Sequence, residues 1–223
     1  MIAIPFVDIV RDADGFVQNK DINNIFDNDE SVVNANRDAF QADQMWFWDN
    51  VSQGYKNYYF MTDRRETFKR WENGSGETDV REDIGAGFFF QNQGDASYTV
   101  TLSGEVNTAD TEVEILPGLN FICNPYPVDL PLNDGTIDWT GAYANRDAFK
   151  ADQMWFWDAE AQGYVNLYYM TDRRETYKRW ENGSGEYETV TIPAYEGFFY
   201  NYAGDGAGFT LTLKYPLSAA TGE

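Results

Sequence analysis

The chain contains one stretch of itself twice. Residues 36–77 and 145–186 align without a gap at an offset of 109, and 34 of the 42 paired positions are identical. NRDAFQADQMWFWD at 36–49 returns as NRDAFKADQMWFWD at 145–158, and MTDRRETFKRWENGSG at 61–76 returns as MTDRRETYKRWENGSG at 170–185. An internal copy of this length fixes the unit of folding before any element is assigned. Each half of the 223 residues must then close a core of its own. The 7 Trp, 15 Tyr and 16 Phe supply the apolar area for two such cores.

The periodicity is that of strands. DQMWFWD (43–49) puts Met45 and Phe47 on one face and Trp46 and Trp48 on the other, which suits a central strand. YKNYYFM (55–61) returns from it as a hairpin. Asn73-Gly74 marks a tight turn. GFFFQ (87–91) and SYTVTLSGEV (97–106) read as a second hairpin, and TEVEIL (111–116) alternates acid with apolar residues. DQMWFWD (152–158), YVNLYYM (164–170), EGFFYNY (196–202) and GFTLTLKYP (208–216) repeat the order. Upstream, IAIPFVD (2–8) and FICNPYPVDL (121–130) hold equivalent places, each ending an apolar strand in a proline–aromatic pair. DRRETFKRW suits a strand, although Asp63 and Glu66 have the spacing of a helix capping box. The expectation is an all-β chain of two tandem homologous antiparallel domains, sandwich or barrel-like. They would span 1–106 and 119–223, the latter with a short C-terminal tail, joined by a bridging strand over 107–118.

The motif order GLNFICNPYPVDLPLN, ADQMWFWD, YYM, RW, IPAYEGFFY and FTLTL resembles a family of uncharacterised secreted repeat proteins of Verrucomicrobia and related bacteria. The second copy carries the resemblance along most of its length. The first departs at its start, where IAIPFVD has no Asn-Pro and a longer loop leads to Asn36. The resemblance implies an exported all-β module and no activity.

Composition narrows the function. The 37 acids against 16 Lys and Arg give a net charge of −21, which disfavours nucleic acid and anionic membrane surfaces as partners. No stretch has the length of a membrane helix. MIAIPFVDIV is apolar but lacks the basic region and cleavage site of a signal peptide. The expectation is a processed, exported chain, extracellular or at the cell surface. With no His, the Ser-His-Asp and Cys-His mechanisms and His-ligated zinc are excluded. The single cysteine, Cys123, lies in an apolar run and reads as a buried, inert thiol. Carboxylate pairs alone are too common among 37 acids to signal an enzyme.

Three constellations remain. Asp12 and Asp14, with Asp27 and Asp29, offer hard oxygens to calcium, the one ion the inventory suits, but complete no twelve-residue loop. Most of the tryptophans read as core; if any is exposed to stack on a polysaccharide, Trp71 and Trp180 are the candidates, each flanked by basic residues and followed by a turn. The two Asn-Gly-Ser sequons at Asn73 and Asn182 read as turns. The charge map is sharper. Arg64, Arg65, Lys69, Arg70 and their copies Arg173, Arg174, Lys178, Arg179 make up eight of the 16 cations in 18 positions. Such islands on an anionic body suit docking to another copy. The apolar segment of Ile2, Ile4 and Phe6 suits pairing with a neighbour's sheet edge. The expected role is a secreted structural subunit that self-associates into a filament, fibre or surface layer, without catalysis or cofactor. The alternative is a carbohydrate-binding or adhesive surface module.

Overall fold

The computed structural model describes residues 2–216 apart from 4–5, 13–14, 20–21, 26–32, 77, 79–85, 98, 100–104 and 159, and of the strands before residue 20 only the backbone. Among the described residues, helix is confined to Ile22–Ile25 and a 3-10 turn at Ala148–Lys150; the rest is antiparallel sheet and loop.

Two five-stranded sheets carry the architecture, one from each copy. The first runs in the order Ile2–Ala3, Gly87–Gln91, Gln44–Asp49, Gly54–Thr62, Lys69–Asn73. The second runs Gly118–Cys123, Gly197–Tyr202, Gln153–Asp158, Gly163–Thr171, Lys178–Asn182. The registers match as well as the order. Ile2 pairs with Phe88 and Ala3 with Gly87, just as Ile122 pairs with Phe198 and Cys123 with Gly197. This places IAIPFVD and FICNPYPVDL as equivalents.

The expected hairpin is present in both copies, with Trp48 opposite Tyr55 and Trp157 opposite Tyr164. Its loop closes on an aspartate. Asp49 accepts from the amides of Val51 (2.9 Å) and Ser52 (3.1 Å), and Asp158 from those of Glu160 and Ala161, both at 2.9 Å. Alternation then sends Met45, Phe47, Met154 and Phe156 inward.

The second expected hairpin is not formed in the second half. Gly197–Tyr202 lies between Gly118–Cys123 and Gln153–Asp158, so both of its edges are filled. The chain crosses instead to a three-stranded sheet ordered Ile137–Asp138, Phe209–Leu213, Thr111–Ile115. Thr111–Ile115, read as part of a bridge, is therefore a strand of the second half's own small sheet. The crossing needs Gly208, at φ +102°, because a Cβ there would lie 2.0 Å from the Ile115 carbonyl oxygen. In the first half SYTVTLSGEV lies mostly outside the described residues; its Glu105–Val106 pairs with Phe6–Asp12.

The small sheet covers one face of the second five-stranded sheet. Ile115, Leu211 and Leu213 from it pack with Met154, Trp180, Phe198 and Tyr200. The Asn-Pro-Tyr-Pro turn pins the layers together. Asn124 donates to the carbonyls of Val128 and Pro193, and the Tyr126 hydroxyl donates to the Leu213 carbonyl at 2.7 Å. A separate core in the first half gathers Ile22, Val33, Met45, Phe47, Tyr58, Phe60, Trp71 and Phe88.

The opposite faces of the two large sheets meet each other. Phe89 and its counterpart Phe199 lie 6.1 Å apart, Trp48 meets Phe199 at 5.8 Å, and Phe121 stacks on Phe199 at 4.6 Å. The first half also caps the outer edge of Gly118–Cys123. The Trp48 indole donates to the Leu119 carbonyl (2.9 Å), Gln53 accepts from the Leu119 amide (3.0 Å), and Asn50 accepts from the Phe121 amide (3.0 Å).

A buried aspartate secures each half. Asp152, 0% exposed, accepts from the amides of Tyr143 (2.8 Å) and Ala203 (2.7 Å) and from the Tyr200 hydroxyl (2.6 Å). Asp43 accepts from the amides of Asn34 (2.8 Å) and Gln93 (2.7 Å). Burial pushes the Asp152 carboxyl up, against the three hydrogen bonds that hold it down. Asp152→Ala strands two amides and a phenol in the interior. It is expected to cost about 2–4 kcal/mol in urea unfolding. Asp152→Asn cannot accept at both oxygens, so it should restore only part of that loss.

Candidate functional site

The sheet ends that carry the DRRET segments are built by the repeated sequence itself. Asn36 donates its amide to Phe60 (3.2 Å) and accepts from the Thr62 amide (3.3 Å), laying the Asn-Arg-Asp segment alongside the strand end. Asn145 does the same with Tyr169 and Thr171. The chain then turns on Asp63, whose carboxylate accepts from the Thr67 amide and hydroxyl, both at 2.7 Å, and from the Arg65 amide at 3.2 Å. Asp172 repeats this with Thr176 at 2.7 and 2.6 Å and Arg174 at 3.1 Å. Glu66 and Glu175 take φ of 52° and 51°. These segments are loops up to the strands at Lys69 and Lys178, neither the strand nor the capped helix turn that the sequence suggested. Asp63 wraps its own turn instead of opening a helix.

These bonds have an electrostatic result. The Thr67 and Thr176 donors hold the carboxyls of Asp63 and Asp172 below the usual carboxylate range. Both carboxylates are spent on shaping the turn. Arg64, Arg65, Arg173 and Arg174 stand exposed at the same turns and form no ion pair.

The other cations of the islands behave differently. Arg70 binds Glu72 and Arg179 binds Glu181 through Nε, both at 2.7 Å. Arg70 also covers Phe68 at 4.2 Å, and Arg179 covers Tyr177 at 4.3 Å and Tyr187 at 3.4 Å. Lys69 is engaged as well, whereas Lys178 is exposed and forms no ion pair. The even stripe of eight cations is corrected to two arginine tips above two sheet-bound arginines.

Each tip also carries an aromatic ring that the sequence reading missed. Phe40 is 81% exposed and its copy Phe149 is 84% exposed. Each sits in a turn where Asp38 or Asp147 accepts its amide. The signal was present in the identical Arg-Asp-Ala-Phe segments, since nothing in core packing demands an outward Phe twice.

The pH response follows from the two low carboxyls. A folded value below the unfolded one adds stability that is present above the ordinary value of 3.8 and is lost as pH falls through the folded value. Amide-exchange protection of Thr67 and Thr176 is therefore expected to collapse on acidification below that range while the core amides hold. Asp152 works in the opposite sense: its proton is held more tightly in the fold, so its contribution grows as pH falls.

Trp71 and Trp180 are corrected as carbohydrate platforms. Both are 0% exposed. In KRWEN the alternation puts Trp on one face of the strand and Arg and Glu on the other, where Glu72 is itself buried. An asparagine side chain completes each strand edge. Asn23 accepts from the Trp71 amide (2.7 Å) and donates to its carbonyl (3.1 Å); Asn133 does so for Trp180 at 2.8 and 3.0 Å. The half-exposed rings are elsewhere. Tyr55 and Tyr164, each 44% exposed, sit against Trp46 and Trp48, and against Trp155 and Trp157. Burial raises both phenol pKa values.

The N-terminal segment is used within the chain. Ile2–Ala3 pairs with Gly87–Gln91, and Phe6–Asp12 has a strand on each side, Gly15–Asn19 and Glu105–Val106. Phe6 itself pairs with Val106, and the pairing with Gly15–Asn19 begins at Asp8, while Ile2–Ala3 is the outer strand of its sheet. Ile4, Asp14, Asp27 and Asp29 lie outside the described residues, and of Asp12 only the strand backbone is described. Cys123 is buried, as expected. Asn73 and Asn182 form the expected turns, each accepting from the serine two residues on, at 2.9 Å. No described helix is long and apolar enough to cross a membrane. No family model, no curated protein and no solved structure matches the chain.

Proposed function

We propose that the chain is a secreted structural subunit that self-associates, built from two homologous β domains, the first over residues 1–106 and the second taking in the strand Thr111–Ile115 ahead of the expected start at 119. The arginine tips dock on the acidic surface of neighbouring copies. One observation carries this reading: Arg64, Arg65, Arg173 and Arg174 stand exposed at the tips and form no ion pair among the described residues, on a chain of net charge −21. Each tip adds a nearly bare phenylalanine, so charge steers the contact and an apolar ring anchors it. The duplication makes the subunit bivalent, which is what an extended assembly requires.

Size-exclusion chromatography and negative-stain imaging across a salt series test the proposal. Large assemblies at low ionic strength that shrink as salt rises support it; a monomer at every salt and protein concentration overturns it. The alternative, a carbohydrate-binding or adhesive module, loses Trp71 and Trp180 as its stacking platform. Catalysis is not part of the proposal.

A further inference from the structure

The second half holds a cavity of about 370 Å³. Its floor is Arg179. The bond from Arg179 Nε to Glu181 fixes the guanidinium plane, and the Tyr187 and Tyr177 rings lie against it. Lys178, Asp134 and Glu188 complete a polar rim, and Pro131 and Val190 give apolar walls. Asn133 anchors the rim by donating to the Tyr187 carbonyl at 2.8 Å.

We propose that this cavity binds a neutral saccharide. The volume lies in the range of small-molecule sites. The lining carries both signs in balance, Lys178 and Arg179 against Asp134 and Glu188. A phosphate or carboxylate ligand gains little from such a set, least of all on a chain of −21. A sugar uses all of it. Each hydroxyl both donates and accepts, so carboxylates take its proton side while guanidinium and ammonium take its lone pairs. The phenol rings give the C–H face of a pyranose an apolar surface.

The first copy is a built-in contrast. Arg70 and Lys69 match Arg179 and Lys178, but Phe68 stands for Tyr177 and Thr78 for Tyr187. Arg70 has one ring where Arg179 has two. Tyr177 is one of only eight differences in 42 aligned positions, and it falls in this lining. The paired phenols therefore set the second copy's arginine apart from the first's, and the site is independent of self-association through the tips.

The full chain is to be titrated with cellobiose, maltose and N,N′-diacetylchitobiose while aromatic proton shifts are followed by NMR. At least one of these sugars is expected to move the Tyr177 and Tyr187 ring signals, to saturate at one site per chain, and to be indifferent to added NaCl. Tyr187→Thr, which installs the first copy's residue, is expected to weaken binding about tenfold. Glu188→Ala, an exposed change that removes no ring, should weaken it as well. Arg64→Glu with Arg173→Glu should leave the titration unchanged, so this proposal and the assembly proposal fail separately. Glucuronate is titrated alongside as the charged control, and three results overturn the proposal: no shift with any of the three neutral sugars, equal affinity in Tyr187→Thr, or a response confined to glucuronate and erased by salt.

Discussion

Trp180→Ala is expected to lower the stability of the second half by about 3–5 kcal/mol, and Trp71→Ala to do the same in the first. Each ring is 0% exposed and lies in an aromatic nest. Trp180 meets Trp139 at 5.1 Å, Tyr169 at 5.2 Å and Tyr200 at 5.8 Å; Trp71 meets Phe60 at 5.2 Å and Phe90 at 6.0 Å. Truncation leaves a void in a close-packed interior and removes the stacking beyond simple burial. A loss of this size approaches the whole stability of a small domain. Urea titration followed by fluorescence and far-UV circular dichroism should show an early transition in each variant. A variant as stable as the parent that had lost only polysaccharide binding would return these tryptophans to the surface.

Arg64→Glu together with Arg173→Glu is expected to abolish assembly and leave the unfolding midpoint within the usual ±0.5 kcal/mol of a surface change. Neither arginine holds an ion pair among the described residues, so the described fold loses no ion pair of theirs. The swap reverses the charge at both docking points and sets like charges against an acidic partner. Arg179→Glu is the useful contrast. It breaks the 2.7 Å pair with Glu181 and the stacking on Tyr177 and Tyr187, so its cost appears in stability. Sedimentation velocity at low salt separates the two. Assemblies that persist unchanged in the tip double variant would end the arginine-docking proposal.

Much of the body was legible in the sequence for a simple reason: strand alternation and turn chemistry are local. The turn between Trp48 and Tyr55 and the Asn73 turn each follow from residues within ten positions of one another, and the equivalence of the Ile2 and Ile122 segments follows from laying one copy on the other. The errors share a cause as well. GFFFQ and SYTVTLSGEV look like a hairpin because adjacent apolar runs usually pair. Only the sheet order shows that the equivalent strand Gly197–Tyr202 already has two partners. The placement of Trp71 and Trp180 was readable from alternation in KRWEN, but the flanking charge suggested a surface. The Asn23 and Asn133 clamps were not readable at all. Each acts across 47 or 48 residues and leaves no local pattern. The saccharide cavity was hidden for the same reason, since Pro131 and Asp134 reach Arg179 from far along the chain.

The meeting of Phe89 with Phe199 has a bearing on ancestry. Like residues face like across the seam, the signature of a self-complementary contact between identical units. A forebear one copy long could have existed as a symmetric pair of separate molecules. Tandem fusion then holds the mate at a fixed effective concentration that dilution cannot lower. It also frees the two copies to drift apart, so that a phenol pair could arise beside one arginine and not beside its twin.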